Sequence, residues 1–262
     1  MAGPKYSEEE CILTLELYTT IERKDIRVDN PKIIRLSKFL TENGFPRSAG
    51  SIKAKLENFK ACDPMYPGTS ISHNARMDQE VWNRFYNTGF ADLFDAAEKC
   101  REQISANGGS ASASSYLYGS EGGTTTVREV KQRVNQDIFR ARVLETYDHK
   151  CCITGMQYSP VLQACHIKPW PKSPEGSPER LDPRNGLCMN KVHHAAFDAG
   201  LFTVDEHFRI ELSPCLPDNE TKEILEQFYY PYEGLEIKPA IALYKPSQEY
   251  LDYHRKNIFL EG

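Results

Sequence analysis

The sequence predicts an α+β protein, with a helical N-terminal module joined by a flexible linker to a domain of short strands and helices. Three observations predict this arrangement. Capped, helix-periodic apolar patterns fill the first hundred residues, residues 105–126 are mostly Gly, Ser, Ala and Thr, and short apolar runs between turn residues follow as far as residue 212. The predicted parts are therefore residues 1–104, a linker at 105–126, and residues 127–262.

The composition is that of an ordinary globular protein, because 40% of the 262 residues are hydrophobic and 26% are charged. This excludes a fibrous or wholly disordered chain. No apolar run reaches the roughly 18–20 residues that a membrane helix needs, so we expect no membrane partner. The acidic N-terminus does not resemble a secretory signal. The eight cysteines form no Cys-x-x-Cys pair, so we expect reduced thiols and a cytoplasmic protein.

Helix start and stop signals divide the N-terminal module. Ser7 and Glu10 have the spacing of a capping box, ahead of an apolar helix that runs to Ile21. Asn30-Pro31 starts a second helix, and Asn43-Gly44 ends it. Apolar periodicity predicts three more helices, near Ser51–Lys60, Glu80–Tyr86 and Ala91–Ile104.

Three short helices with a basic third one predict a helix-turn-helix-like module. Residues 32–60 hold seven basic and two acidic side chains. Lys53 and Lys55 are expected to lie away from the apolar face of the third helix, which makes them candidate DNA contacts. A solvated helical surface would explain these charges equally well.

The C-terminal part changes from a helical to a strand-like pattern. After a basic helix at Val127–Tyr147, a hairpin is predicted between Cys152–Thr154 and Val161–Ile167. A loop, a turn and a short helix ending at Ala199 follow, and then a second hairpin between Leu201–Val204 and Phe208–Leu212. The proline-rich tail is expected to be extended apart from a helix near Thr221–Tyr229.

Chemistry-bearing residues concentrate between residues 151 and 198. His166 ends a predicted strand, Asn185 follows a loop, and His193-His194 lie on the short helix. With the flanking "ACHIKPW" and "LDPRNGLCMNKVHHAAFDAGLFTVD", this order resembles the HNH endonuclease superfamily, and within it the restriction-type branch. The ending "YLDYHRKNIF" is also similar to that branch.

The resemblance implies a ββα-metal nuclease domain that hydrolyses DNA phosphodiester bonds. His166 would be the general base, because a neutral imidazole accepts protons near neutral pH. Asn185 would orient that ring or fix the loop around it. A helix histidine would hold one divalent ion, usually Mg²⁺, although histidine ligation also suits Mn²⁺, Ni²⁺ or Zn²⁺. Both His193 and His194 match spacings found in the family, and the general spacing favours His194.

Three features of the site depart from the family pattern or leave its details open. Many family members have a metal-ligating Asp before the first histidine, where this chain has Cys165. Asp198 is expected to form hydrogen bonds at the helix end, with support of a histidine as the alternative. Four basic residues flank the loop and are candidate phosphate contacts or ordinary solvated charges: Lys168, Lys172, Arg180 and Arg184.

The predicted function is metal-dependent cleavage of double-stranded DNA in restriction or defence. A homodimer would match the two-fold symmetry of a palindromic DNA site. The alternatives are an inactive HNH-like binding module and a nuclease effector gated by a signalling ligand. The net charge of −5 argues little against DNA, because it averages the basic residues 32–60, at +5, with a tail at 205–262, at −6.

Overall fold

A computed structural model describes residues 5–66, 76–86, 88–90, 92–108, 127–174, 177–216 and 222–261. The chain divides into two compact units, residues 1–141 and 142–262. The predicted linker lies outside the described residues from 109 onwards, and its first four residues belong to a helix. Among the described residues, no helix has the length and apolarity to cross a membrane. The α+β class is confirmed.

Helices build the first unit. They are α1 Glu8–Thr20, α2 Pro31–Glu42, α3 Ala49–Cys62, α4 Arg76–Tyr86, α5 Leu93–Gly108, and the start of α6 Val127–Thr146. Ser7 and Glu10 form the predicted capping box, and the Asn30 side chain caps α2 ahead of Pro31. The cap residues thus set these two helix starts as the sequence predicted.

Helix α1 is the centre of this unit, because its residues from Glu10 to Thr20 are buried and it packs against α2, α3, α4 and α5. A helix buried on all sides must pair its charges. Two acids on α1 do so with arginines: Glu10 Oε1 lies 2.6 Å from Arg47 Nε, and Glu16 Oε2 lies 2.5 Å from Arg101 Nη1.

The prediction that Lys55 lies away from the apolar face was wrong. Its side chain is 7% exposed, and its Nζ donates to Asp78 Oδ1 at 2.6 Å. The carboxylate on α4 supplies a partner inside the unit, and α4 covers that side of α3. Lys53 lies on the surface, 3.6 Å from Glu57.

Two short antiparallel pairs and their helices build the second unit. Strands β1 Leu162–His166 and β2 Gly186–Asn190 pair in the register Leu162 to Asn190 and His166 to Gly186. The further elements are α7 Lys191–Asp198, β3 Phe202–Val204, β4 Ile210–Leu212, α8 Lys222–Phe228 and α9 Gln248–Asn257. Helix α7 packs on β1, β2 and β3, which places a β-β-α arrangement around the histidines.

The second predicted hairpin is confirmed as β3 and β4, but the first was wrong. Residues 152–154 form turns, and β1 pairs with residues 186–190, which the sequence predicted to begin with a turn. The run GLCMN is buried throughout, so it is a short core strand without alternation. The tail prediction was also wrong, because residues 248–257 form α9.

Helix α9 holds the C-terminal end of α7 in place through contacts of His254. The His254 ring stacks on Phe197 at 3.7 Å between centroids, donates from Nε2 to the Phe197 carbonyl, and accepts from Thr203 Oγ1 at Nδ1. Next to it Gly200 has φ +71°, and a Cβ there would lie 2.1 Å from the Ile258 carbonyl oxygen. Only glycine therefore allows this approach.

Replacing Lys55 with methionine should destabilise the first unit, because it leaves Asp78 buried without its cation. The expected loss is about 3–5 kcal/mol of unfolding free energy. Urea denaturation of the full chain measures it. Lys53→Met is the matched control on the same helix and should change stability by less than about 0.5 kcal/mol. Equal stability of the two variants would contradict the buried ion pair.

Acidification should destabilise the second unit through His254. Burial lowers the pKa of His254 to about 4, so the unfolded chain takes up the proton first as pH falls from about 6.5. Unfolding free energy should fall by up to about 1.4 kcal/mol per pH unit over this window. His254→Gln removes this titration, so its stability deficit relative to wild type should shrink between pH 7 and pH 5. A deficit independent of pH would refute the assignment.

Candidate functional site

The end of β1, the start of β2 and the exposed side of α7 bring the site residues together. β1 ends at His166, and Gly186 lies opposite it. Asn185 immediately precedes β2, and Asn190 at the end of β2 caps α7 by accepting a bond from the His193 backbone N–H. Three of the predicted residues, His166, Asn185 and His194, are therefore held by one strand pair and one helix.

The His166 ring is held in one tautomer. Its Nε2 lies 3.0 Å from the Arg180 carbonyl oxygen, which only accepts, so Nε2 carries the proton and Nδ1 the lone pair. The Trp170 ring packs edge-on against it at 5.6 Å. Burial lowers the pKa of His166 to about 4, although the Arg180 carbonyl and the Asp198 carboxylate oppose that shift. The ring is neutral at neutral pH.

Asn185 fixes the loop that approaches His166. Its side chain is fully buried, accepts from the Lys168 N–H at 2.8 Å, and donates to the carbonyls of Lys168 and Glu179 at 3.2 and 3.1 Å. These bonds connect the residues just after β1 to the segment that supplies the Arg180 carbonyl. The position of Asn185 thereby determines where the partner of His166 lies.

Beside His166, a cluster of three different ligand types forms between β1 and α7. His194 Nε2 lies 3.2 Å from Asp198 Oδ2, and Cys165 Sγ lies 3.7 Å from Asp198 Oδ1. One ligand atom from each residue lies within 4.8 Å of the other two. Burial raises the pKa of the Cys165 thiol well above its usual value. The cluster's composition suits a divalent metal.

His193 lies away from this cluster. Its Nδ1 accepts from the Asn190 side-chain amide at 2.8 Å, and its Nε2 donates to the Phe228 carbonyl at 2.8 Å. Burial raises the pKa of the neighbouring Cys151 thiol, but hydrogen bonds from His193 and Thr154 outweigh burial and lower it to about 7. Both ring nitrogens of His193 are therefore engaged in connecting the start of α7 to the end of α8.

The four basic residues around the loop have different environments. Lys168 pairs with Glu179 at 2.7 Å, and Arg180 donates to the Ser173 carbonyl and lies over the Trp170 ring. Arg184 is exposed and pairs with Asp182 at 2.7 Å, and Lys172 is exposed. Lys172 and Arg184 thus present charge to solvent, while Lys168 and Arg180 chiefly organise the loop.

The proximity of Cys165 and Asp198 was not predicted from the sequence. The sequence indicated Cys165 as a departure from the family pattern and favoured a helix-end role for Asp198. The available signal was the spacing of His194 and Asp198, four residues apart on one helix face. In the described part of the chain, Cys151, Cys152 and Cys188 belong to no cluster of three or more metal-ligating side chains.

Comparison with known families identifies the segment that holds the site. Residues 151–205 match the family model described as HNH endonuclease, which covers β1, β2, α7 and β3. The predicted superfamily resemblance is confirmed for this segment. The comparison with curated proteins gives no match.

Removing the Asn185 side chain should loosen the loop without unfolding the unit. We expect Asn185→Ala to speed amide hydrogen exchange at Lys168 and around residues 179–181, because three loop hydrogen bonds are lost. Asn257→Ala is the control, since Asn257 is exposed and its amide bonds only its own helix. Unchanged exchange in folded Asn185→Ala would show that Asn185 does not hold the loop.

Proposed function

We propose, from the membership of residues 151–205 in the HNH endonuclease superfamily, that this protein is a metal-dependent DNA endonuclease. The observation that supports this most strongly is that the His166 imidazole, oriented by the Arg180 carbonyl, directly follows Cys165 of the Cys165, His194 and Asp198 cluster. Phosphodiester hydrolysis needs a base for the attacking water and positive charge at the phosphate. His166 fits the first requirement, and the Cys165, His194 and Asp198 cluster, with a bound cation, would fit the second.

His166 would take the proton from the attacking water. Its Nε2 proton is committed to the Arg180 carbonyl, so Nδ1 is the atom that accepts. Burial keeps the ring uncharged, and therefore able to accept a proton, across the neutral pH range. Trp170 and the loop held by Asn185 limit rotation of the ring. A base fixed in this way loses little entropy in the reaction.

His194, Asp198 and Cys165 would hold a divalent ion, and His193 would not. When bound, such an ion would neutralise charge on the phosphate oxygens. The donor atoms fit a cation, since a carboxylate, an imidazole and a thiol converge from two elements. The family resemblance implies Mg²⁺ at this position.

DNA is the proposed substrate, in its double-stranded form. The exposed Lys172 and Arg184 border the loop between the site histidines and would contact phosphates, and Lys168 and Arg180 would support them. Lys53 is available on the surface of the first unit, whereas Lys55 is committed to Asp78. Phosphate contacts of this type position a duplex and do not read its sequence.

A restriction or defence role is proposed with this activity, on the likeness of the chain to the restriction-type branch. The buried free cysteines fit the reducing environment of the cytoplasm. One active site per chain would cut one strand, so a homodimer would be the form that cuts both strands of a symmetric site.

His166→Ala should reduce the rate of plasmid cleavage by about 10²–10⁴-fold, the usual contribution of a general base, while DNA binding measured by gel shift is retained. His207→Ala is the matched control, because His207 is an exposed histidine on the turn between β3 and β4. Its cleavage rate should equal that of wild type.

Three outcomes of the same assay would redirect the proposal. Wild-type cleavage by His166→Ala would exclude His166 as the base. DNA binding without cleavage by wild type, across divalent metals, would favour an inactive binding module. Cleavage that begins only after a cell extract of small molecules is added would favour a gated effector.

A further inference from the structure

The cluster of Cys165, His194 and Asp198 contains a sulfur atom, and the sulfur distinguishes it from a metal site made only of oxygen ligands. We propose that Cys165, His194 and Asp198 form a three-ligand site for a zinc-like divalent ion, with Cys165 bound as a thiolate, and that the site disfavours magnesium. This rests on the proposed function, because the ion is the one that the nuclease would use. It changes the expected cofactor from the one that the family resemblance implies.

The ligand separations fit a small tetrahedral ion. With bonds of about 2.1 Å to nitrogen or oxygen and 2.3 Å to sulfur, tetrahedral ligands lie about 3.4–3.6 Å apart. His194 Nε2 lies 3.2 Å from Asp198 Oδ2, and Cys165 Sγ lies 3.7 Å from the other carboxylate oxygen, Oδ1, with one ligand atom of each residue within 4.8 Å of the other two. Binding would therefore need side-chain rotations that turn one Asp198 oxygen toward both partners and bring the three ligand atoms closer together.

The donor types separate candidate ions more strongly than the distances do. Magnesium prefers six oxygen ligands, retains several waters and gains little from sulfur. Zinc and cobalt accept sulfur, nitrogen and oxygen in one site. Cys165 is fully buried on β1, so its Sγ faces a fixed protein environment on the inner side of the cluster.

The exposure of the three residues leaves one side of the site open. Cys165 is buried, the His194 side chain is 27% exposed, and the Asp198 side chain is 59% exposed. Protein thus covers the sulfur side, while solvent reaches the carboxylate side. Three protein ligands with one accessible position are typical of catalytic zinc sites, whereas structural sites have four protein ligands.

Metal binding by Cys165 as a thiolate releases the proton of the thiol. In the metal-free protein the Cys165 thiol donates to Asp198 Oδ1. As the bond between metal and sulfur forms, the S–H bond breaks and one proton leaves to the buffer. No oxidation or reduction occurs, and Asp198 exchanges the thiol proton for the cation.

Cobalt provides the test, because Co²⁺ replaces Zn²⁺ and its bond to a thiolate gives a charge-transfer absorption in the near ultraviolet. Full-length, chelator-treated protein is titrated with CoCl₂. We expect this absorption to appear at one equivalent, to disappear when ZnCl₂ is added, and to persist in a thousandfold excess of MgCl₂. A wild-type cobalt complex without the absorption, or displacement by Mg²⁺ as effective as by Zn²⁺, would overturn the proposal.

Three variants assign the sulfur. Cys165→Ser and Cys165→Asp should lose the absorption, and Cys165→Ser should weaken Zn²⁺ binding by at least the roughly 10–100-fold that loss of a residue supporting a ligand costs. Cys188→Ser is the matched control, since Cys188 is an equally buried thiol on β2. It should retain the absorption. Persistence of the absorption in a folded Cys165 variant would exclude the assignment.

If neither Cys165 variant folds, X-ray absorption of the wild-type zinc complex decides. One sulfur at about 2.3 Å supports the proposal, and a shell of only nitrogen and oxygen refutes it. The proposed nuclease activity fails separately. Sulfur ligation without DNA cleavage under any metal would refute the nuclease alone, and cleavage with Mg²⁺ by protein that lacks the sulfur absorption would refute the zinc-like site alone.

Discussion

The antiparallel pairing of β1 with β2 is the constraint on which the candidate site depends. Its register puts His166 opposite Gly186, so the end of one strand meets the start of the other. Asn185 then reaches both Lys168 and Glu179, and the loop it fixes presents the Arg180 carbonyl to His166. A slip of one residue would reverse the directions of His166 and Cys165.

Burial acts differently on the two halves of the site. Around the partly exposed His166, burial lowers the pKa to about 4. Across the cluster, burial covers Cys165, whereas Asp198 is exposed to solvent. The consecutive residues Cys165 and His166 on β1 thus have different environments. Helix α7 places His194 and Asp198 beside Cys165, and α9 contacts the end of α7 through His254.

Local signals predicted the parts of the fold that depend on local chemistry. The capping box at Ser7, the proline start of α2 and the turn between β3 and β4 all appear as the sequence indicated. Pairing across sequence distance was not predictable. Strand β2 was not predicted for two reasons. The run GLCMN lacks alternation because both its faces are buried, and the Asn185-Gly186 pair at its start is a turn signal.

The order of His166, Asn185 and His194 predicted most of the site, whereas tertiary contacts decided the rest. Lys55 lies three residues after Ile52 and four before Phe59, which is the spacing of one helix face, but its partner Asp78, 23 positions away, was not predictable. Likewise, Cys165 is a weak candidate ligand alone and becomes a strong one only beside Asp198. The structure places His194 in the cluster, whereas the His193 ring bonds to Asn190 and Phe228, and the sequence did not distinguish these positions.

Anomalous diffraction at the zinc edge, from crystals of the full chain grown with Zn²⁺ and a DNA duplex, tests the proposed metal site most directly. We expect one peak about 2.0–2.3 Å from Cys165 Sγ, His194 Nε2 and an Asp198 carboxylate oxygen, with a DNA phosphate on its open side and His166 Nδ1 facing that phosphate. A peak bound by Cys151 and His193, or one ligated by His166 itself, would contradict the proposed site.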